Sequence, residues 1–163
     1  MSHLGKVLLA LGTVVAAYAL YEHFTVRVRV PSDFVGWVLL VPAPAGSRTS
    51  YDDASGYYLA DRHGRCFVEG DVVTDTRRLR LEQNNQSVDD AAKFLGLTTR
   101  YDPRRKLVYR YVQFYLPTPD KRPLPDYGTY WMRESFRLNE QKDSLLESLK
   151  RAGRICAVGG PLK

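Results

Sequence analysis

Residues that build catalytic and metal centres are scarce in this sequence. Its 163 residues include two cysteines and three histidines, and the cysteines form no CxxC pair of the kind found in zinc and redox sites. The sequence contains no Gly-x-Ser-x-Gly motif for a nucleophilic serine and no glycine-rich loop ahead of a helix for a phosphate group. We therefore predict no catalytic residue, no metal site and no cofactor, in a protein that is not an enzyme.

One group of polar residues could be imagined as a metal site. Close together in the sequence lie Asp52, Asp53, Asp61 and His63. Their spacing matches no known ligand pattern, and carboxylates in loops are usually just solvated. We expect these residues to bind no metal.

Charge is missing from the first part of the chain. Lys6 is followed by an apolar run, Val7 to Leu20, and the next charge is Glu22. A basic start, a short apolar segment and small residues before a cleavage site are typical of a signal peptide, here cleaved after Ala19. We favour an uncleaved anchor over the cleaved signal, since Leu4 to Tyr21 reaches the ~17 residues of the shortest spanning helices if Lys6 snorkels to the near interface.

Both interpretations predict the same two-part organisation. Residues 1–22 form a transmembrane or signal helix, and residues 23–163 form one exported domain that is long enough to bury its own core. We expect the protein at the bacterial inner membrane facing the periplasm, or secreted to the periplasm.

The formal net charge of +6 comes almost entirely from the exported domain. Basic residues cluster at Arg77, Arg78 and Arg80 and again from Arg104 to Lys106. In an exported domain such clusters favour anionic lipid head groups, cell-wall polymers or an acidic protein partner over nucleic acid. The alternative is an ordinary solvated surface, because 18 acidic residues are interspersed.

The two cysteines, Cys66 and Cys156, each lie in a strand-like run. Disulfides persist in the compartments to which exported domains are delivered, and we predict a disulfide that pins the C-terminal strand to the middle of the domain. The alternative is two unrelated buried thiols.

The apolar patterning predicts a mainly β fold, an antiparallel sheet or sandwich with two short helices. The helices are expected to begin at Ser87, continuing to Leu95, and at Asn139, continuing to Ala152. The predicted strands are Thr25–Val30, Gly36–Val41, Gly56–Ala60, Arg65–Glu69, a short strand around Leu79 and Leu81, Leu107–Leu116, Thr129–Leu138 and an edge strand at Ile155–Val158.

A partner surface is suggested by the aromatic residues from Tyr109 to Trp131. Tyrosine, tryptophan and arginine are enriched at interface hot spots, and Tyr109, Tyr111 and Tyr115 would share one face of their strand. We predict these three tyrosines, with Arg110 and Trp131, as candidate partner-binding residues. The alternative is that a helix covers the tyrosine face, with the hydroxyl groups reaching water.

The phrase Val30-Pro31-Ser32-Asp33-Phe34-Val35-Gly36-Trp37-Val38 resembles the opening of a family of small exported bacterial domains of unknown function, with the pattern Pro-x-x-Phe-x-Gly-Trp-Val. Weaker similarities continue through Tyr57–Cys66 and through the tyrosine-rich strand to Leu124. The resemblance implies a compact, mostly β module that faces the cell envelope, and it implies no reaction.

Together these observations favour a membrane-tethered or secreted envelope domain that binds a protein or an envelope component without catalysis. An immunity protein that blocks an incoming toxin would be one version. The alternatives are a structural subunit of a membrane assembly and a small cell-envelope hydrolase.

Overall fold

The computed structural model describes residues 7, 12–16, 25–70, 72, 76–104, 107–119, 127–155 and 157–159. Over these residues the protein is built mainly of β-strands in two sheets, with one long helix. The prediction of a mainly β protein is confirmed. The predicted leader falls largely outside the described residues, and within them no helix is both long and apolar enough to cross a bilayer.

The described residues contain ten strands and one long helix, α1. A 3-10 turn at Thr76–Arg78 precedes the sixth strand. The bounds are β1 Val26–Arg29, β2 Gly36–Pro42, β3 Tyr51–Asp52, β4 Tyr57–Leu59, β5 Arg65–Val68, β6 Leu79–Gln83, β7 Gln86–Ser87, β8 Lys93–Asp102, β9 Leu107–Leu116, α1 Tyr127–Arg151 and β10 Ala157–Gly159.

Both sheets are mixed, so the predicted antiparallel pairing holds for only part of each sheet. The first sheet has the order β3-β4-β1-β6-β7, with β1 parallel to both β4 and β6. The second contains β8, β9, β10, β2 and β5, with β2 parallel to β5 and antiparallel to β9. Each parallel pair joins strands between which the chain visits the other sheet, because parallel strands need a crossover connection rather than a hairpin.

The main core lies between the two sheets. The predicted alternation of β1 is confirmed, since Val26, Val28 and Val30 all belong to this core. From the second sheet, Leu40 of β2 and Phe114 of β9 pack against them and are fully buried. Burial of these side chains supplies most of the free energy that holds the sheets together.

Helix α1 covers the outer face of the second sheet. Leu146 of α1 packs in a second buried cluster with Leu39 of β2 and Tyr111 of β9. Nearer the start of the helix, the indole Nε1 of Trp37 donates a hydrogen bond to the carbonyl oxygen of Leu138 at 2.7 Å. The domain therefore has three layers, a sheet, a second sheet and a helix.

The helix predicted from Ser87 to Leu95 is wrong. The chain makes one turn, closed by a hydrogen bond from the amide of Ala92 to the carbonyl oxygen of Val88 at 2.9 Å, and then enters β8. Asp89 does not serve the start of a helix, because its Oδ1 accepts a hydrogen bond from the amide of Leu81 at 2.7 Å. This bond ties the turn to β6.

The C-terminal helix begins at Tyr127 rather than Asn139, so the strand predicted at Thr129–Leu138 is wrong as well. No proline or glycine lies between Gly128 and Gly153, so no residue in this segment interrupts a helix. Packing of Leu138 beneath Trp37 and Tyr115 favours the helix over the strand.

The predicted disulfide is not formed at Cys66, which carries a free thiol, while Cys156 lies outside the described residues. The side chain of Cys66 is fully buried in the core between the sheets. Burial raises the pKa of this thiol to about 12, because an apolar core disfavours the thiolate.

We expect Cys66 to resist alkylation by iodoacetamide at pH 8 until the domain unfolds, since the thiolate is the reactive form. Above about pH 9 the unfolded chain ionises this thiol while the folded chain does not. Cys66 should therefore lower the free energy of unfolding progressively as the pH rises from about 9 to about 12. Mass spectrometry across a urea series would check the reactivity, and rapid labelling of Cys66 in the folded protein would contradict it.

Candidate partner surface

The tyrosine face predicted as a partner surface is covered by α1. Tyr109, Tyr111 and Tyr115 are only 4%, 1% and 6% exposed. Tyr109 and Tyr111 pack with Leu146 of the helix, and the ring of Tyr115 packs edge-on against Trp37 with 5.4 Å between centroids. The alternative of a helix-covered face is therefore correct for these tyrosines. Trp131 belongs to α1, in a part of the helix whose side chains lie outside the description.

The side chain of Arg110 lies on the opposite face of β9. The part of this face that carries Arg110 lies beyond the residues of the main core. The register of the β8–β9 pair sets Leu97 across from Val112, Thr99 across from Arg110, and Tyr101 across from Val108. Residues directly opposite each other in an antiparallel pair project from the same face. We define the β8 face as Leu97, Thr99, Tyr101, Val108 and Arg110.

Large apolar side chains of β8 are exposed on or beside this face. Leu97 is 43% exposed and Tyr101 is 46% exposed, and Leu95, at the irregularity where the strand begins, is 38% exposed. Leu97, Thr99 and Tyr101 are every second residue of β8, so their side chains project from the same face of the sheet. The core of the domain nevertheless ends at Val112, which is fully buried and lies directly across from Leu97.

Arg110 lies in the middle of the β8 face, and one of its hydrogen-bond donors has no acceptor among the described residues. Its side chain is half-buried, and its Nε is buried with no hydrogen-bond partner among the described residues. A buried donor that lacks an acceptor costs about 1–3 kcal/mol. The guanidinium as a whole is suited to a carboxylate or phosphate ligand, which it binds in a planar geometry.

Positive charge borders the β8 face. The 3-10 turn that carries Arg77 and Arg78 contacts β8, and Arg110 contributes a third guanidinium. The side chains that define the face include no acid. The surface is thus apolar and cationic at once.

The other side of β8 carries a network of paired charges facing α1. The guanidinium of Arg100 forms a bidentate ion pair with the carboxylate of Asp143 on the helix. This pairing raises the pKa of Arg100. The Nζ of Lys150 lies 3.2 Å from Asp102 Oδ2 and 2.8 Å from Glu147 Oε1. Arg100, Asp102, Glu147 and Lys150 line a cavity of about 760 Å³ together with Tyr101 at the end of the strand. The mutual pairing of the charged groups gives them a structural role.

A second cavity, of about 570 Å³, lies between α1 and the β4–β5 turn, and His63 lines it. The His63 side chain is exposed and accepts a hydrogen bond from Arg62 Nε at 3.3 Å. Asp61 does not orient the imidazole, because its carboxylate accepts from the amides of His63 and Arg65 and pairs with the Arg65 guanidinium at 2.7 Å. Asp61 thus closes a turn.

The carboxylate of Asp52 serves a different turn, where Asp52 Oδ2 accepts hydrogen bonds from the hydroxyl of Ser55 at 2.5 Å and its amide at 3.2 Å. The hydroxyl bond lowers the pKa of Asp52. Within the part of the chain that the structure describes, no three His, Cys, Asp or Glu side chains are grouped as metal ligands.

Leu95, Leu97 and Tyr101 were not among the residues predicted from the sequence. The alternation in Leu97-Thr98-Thr99-Arg100-Tyr101 is a usable strand signal. It was missed because the preceding residues were interpreted as a helix, which placed this segment in a connection.

No protein-family model and no curated protein matches the chain. Among solved structures, the chain is similar to a presumed lipoprotein from Bacillus anthracis, with a TM-score of 0.42 and 10% sequence identity. The match covers 78% of this chain and 96% of that chain. The resemblance to exported bacterial domains that begin with Pro-x-x-Phe-x-Gly-Trp-Val stays a prediction.

Proposed function

We propose that this protein is a non-enzymatic binding module of the cell envelope that presents the β8 face to an anionic envelope partner. One observation carries the proposal: Leu97 and Tyr101 are exposed on the same face as Arg110, whose Nε is buried and unpartnered among the described residues. Exposed apolar side chains clustered around a cation are typical of an interaction site rather than of an inert surface.

The polar groups around the two cavities support binding over catalysis. A general acid or base needs a titratable group that faces a cleft and is free to exchange its proton with a substrate. Asp61 is engaged by Arg65, and Asp102 by Lys150. His63 is exposed and is hydrogen-bonded to a neighbouring arginine. A hydrolase assignment thus lacks support from these residues.

The envelope assignment is supported by the apolar run after Lys6 and by the excess of basic residues in the domain. In this proposal the leader delivers the domain to the periplasmic side of the inner membrane, tethered there or released. A positively charged domain at this address meets anionic head groups and acidic proteins.

Photo-crosslinking in cells tests the proposed partner surface. We expect p-benzoylphenylalanine at position 97 or 101 to form a discrete adduct, of protein or of lipid, in the producing bacterium. The matched control is position 59, because Leu59 is 41% exposed against 43% for Leu97 but lies on β4 of the other sheet. Equal adduct yields at positions 59 and 97, or none at either 97 or 101, would contradict the proposal.

A further inference from the structure

We propose that the β8 face is the surface on which the domain rests against an anionic lipid bilayer. This inference rests on the proposed function and names the partner as lipid head groups.

The chain enters the domain beside the β8 face. Val26, the first residue of β1, pairs with Leu79, and the two strands run parallel from this end. Leu79 directly follows the 3-10 turn Thr76–Arg78, and that turn contacts β8. The start of β1, the cationic turn and β8 are therefore neighbours at one end of the molecule.

The predicted leader ends only a few residues before this point. The apolar run extends to Tyr21, and β1 begins at Val26. Because each residue of extended chain spans at most about 3.6 Å, an anchored leader holds the start of β1 within about 18 Å of the membrane surface. The end of the domain that carries the β8 face is then the end nearest the lipid.

The side chains at this end have the chemistry of a membrane interface. Tyrosine rings favour the head-group region, and arginine attracts anionic lipids with about 1 kcal/mol for each basic residue near the surface. Tyr101 supplies an exposed ring, Leu97 an exposed aliphatic group, and Arg110 a guanidinium with a buried, unpartnered Nε within the described residues. A lipid phosphate is an anion that a guanidinium binds well.

The size of the apolar patch favours a bilayer over a protein partner. A stable protein interface usually buries about 800 Å² on each partner. The apolar exposure here is confined to a single row on one strand, Leu95, Leu97 and Tyr101, each less than half exposed. A bilayer accepts a few inserted side chains, and a tether raises their effective concentration at the surface, so weak contacts suffice.

A fluorescent probe on the β8 face tests this inference in the full chain. Leu97→Cys and, as the matched control, Leu59→Cys are labelled with the fluorophore NBD in a Cys156→Ser background, since Cys66 is buried and free. The labelled chains are reconstituted in vesicles of phosphatidylcholine alone or mixed with phosphatidylglycerol. We expect a blue shift at position 97 only with phosphatidylglycerol, reversed by high salt, and no shift at position 59.

Charge variants of the same labelled chain extend the test. Arg77→Gln and Arg110→Gln should each lower the ratio of docked to undocked domain about five-fold, the equivalent of about 1 kcal/mol. Arg62→Gln, an exposed arginine on the β4–β5 turn, should leave the ratio unchanged. Tryptophan fluorescence confirms that each variant is folded.

The two proposals fail in different ways. If the probe at position 97 responds equally to vesicles with and without phosphatidylglycerol, the assignment of an anionic lipid bilayer as the partner is wrong. If crosslinks at positions 97 and 101 to a protein persist in cells, the partner is that protein and the proposed function stands. If the probe and the crosslinkers are both silent, the proposed function is wrong as well.

Discussion

Asp102→Ala is expected to lower the free energy of unfolding by about 3–5 kcal/mol. Asp102 Oδ2 lies 3.2 Å from the Nζ of Lys150, and the two side chains are 6% and 2% exposed. Without this carboxylate the ammonium stays buried against the ring of Tyr109, and the anion beside it among the described residues is Glu147, whose side chain is 46% exposed. The same substitution removes the acceptor for the amide of Arg104. Urea unfolding of the full chain in mild detergent, followed by tryptophan fluorescence, would measure the loss.

Asp143→Ala provides the matched control for Asp102→Ala. It also removes a carboxylate that joins β8 to α1, but the Arg100–Asp143 side chains are 40% and 43% exposed. A solvent-exposed pair contributes about 0–1 kcal/mol, so this variant should lose much less stability. Combining Asp102→Ala with Lys150→Met should recover part of the loss, because it removes the stranded charge. Equal losses in the two single variants would show that burial of the Lys150 pair is not what matters.

Gly64→Ala should lower the free energy of unfolding by about 3 kcal/mol or more, through strain and a steric clash. The φ angle of Gly64 is +75°, a conformation that side chains disfavour. A Cβ atom placed there would lie 2.0 Å from the carbonyl oxygen of Trp37, so the backbone of β2 or the turn must move. The amide of Leu39 also donates to the Gly64 carbonyl at 2.8 Å, and that bond joins the same two segments.

Gly56→Ala separates the two contributions. Gly56 has nearly the same φ angle, +73°, but a Cβ atom there meets nothing within 4 Å. Its substitution should cost only the conformational penalty of about 1–2 kcal/mol. A similar loss at both positions, measured by the same urea unfolding, would mean that the contact between Gly64 and Trp37 can relax.

The strands with strong local patterns were predictable, and their partners were not. β1 alternates valine with polar residues, β2 is uniformly apolar, and β9 is long and aromatic, so each was found close to its observed bounds. The segments that were predicted wrongly are decided by contacts with residues outside the segment itself. Asp89 bonds to Leu81 instead of starting a helix, and Leu138 packs under Trp37. Parallel pairing was hidden for the same reason, since it depends on the path between sheets.

The candidate surface was predicted in part. Arg110 was chosen from the sequence and lies on the β8 face, while the tyrosines chosen with it are buried under α1. A strand with two usable faces does not reveal which face a helix will cover, because both faces of β9 carry residues that suit a core. Leu97 and Tyr101 could be recognised as surface residues only if 93–102 were assigned to a strand. The capping residues that follow Ser87 favoured a helix up to Leu95 instead.

The position of β1 has a consequence for the order in which the chain acquires structure. β1 is first among the strands yet lies between β4 and β6, and its pairing with β6 joins Val26 to Leu79. Contacts so distant in sequence are slow to form. A chain that emerges from its N-terminus can pair β1 with β4 once residue 59 is available, but the other edge of this valine-rich strand stays open until residue 79 has followed, and a chaperone would have most reason to bind the chain in that interval.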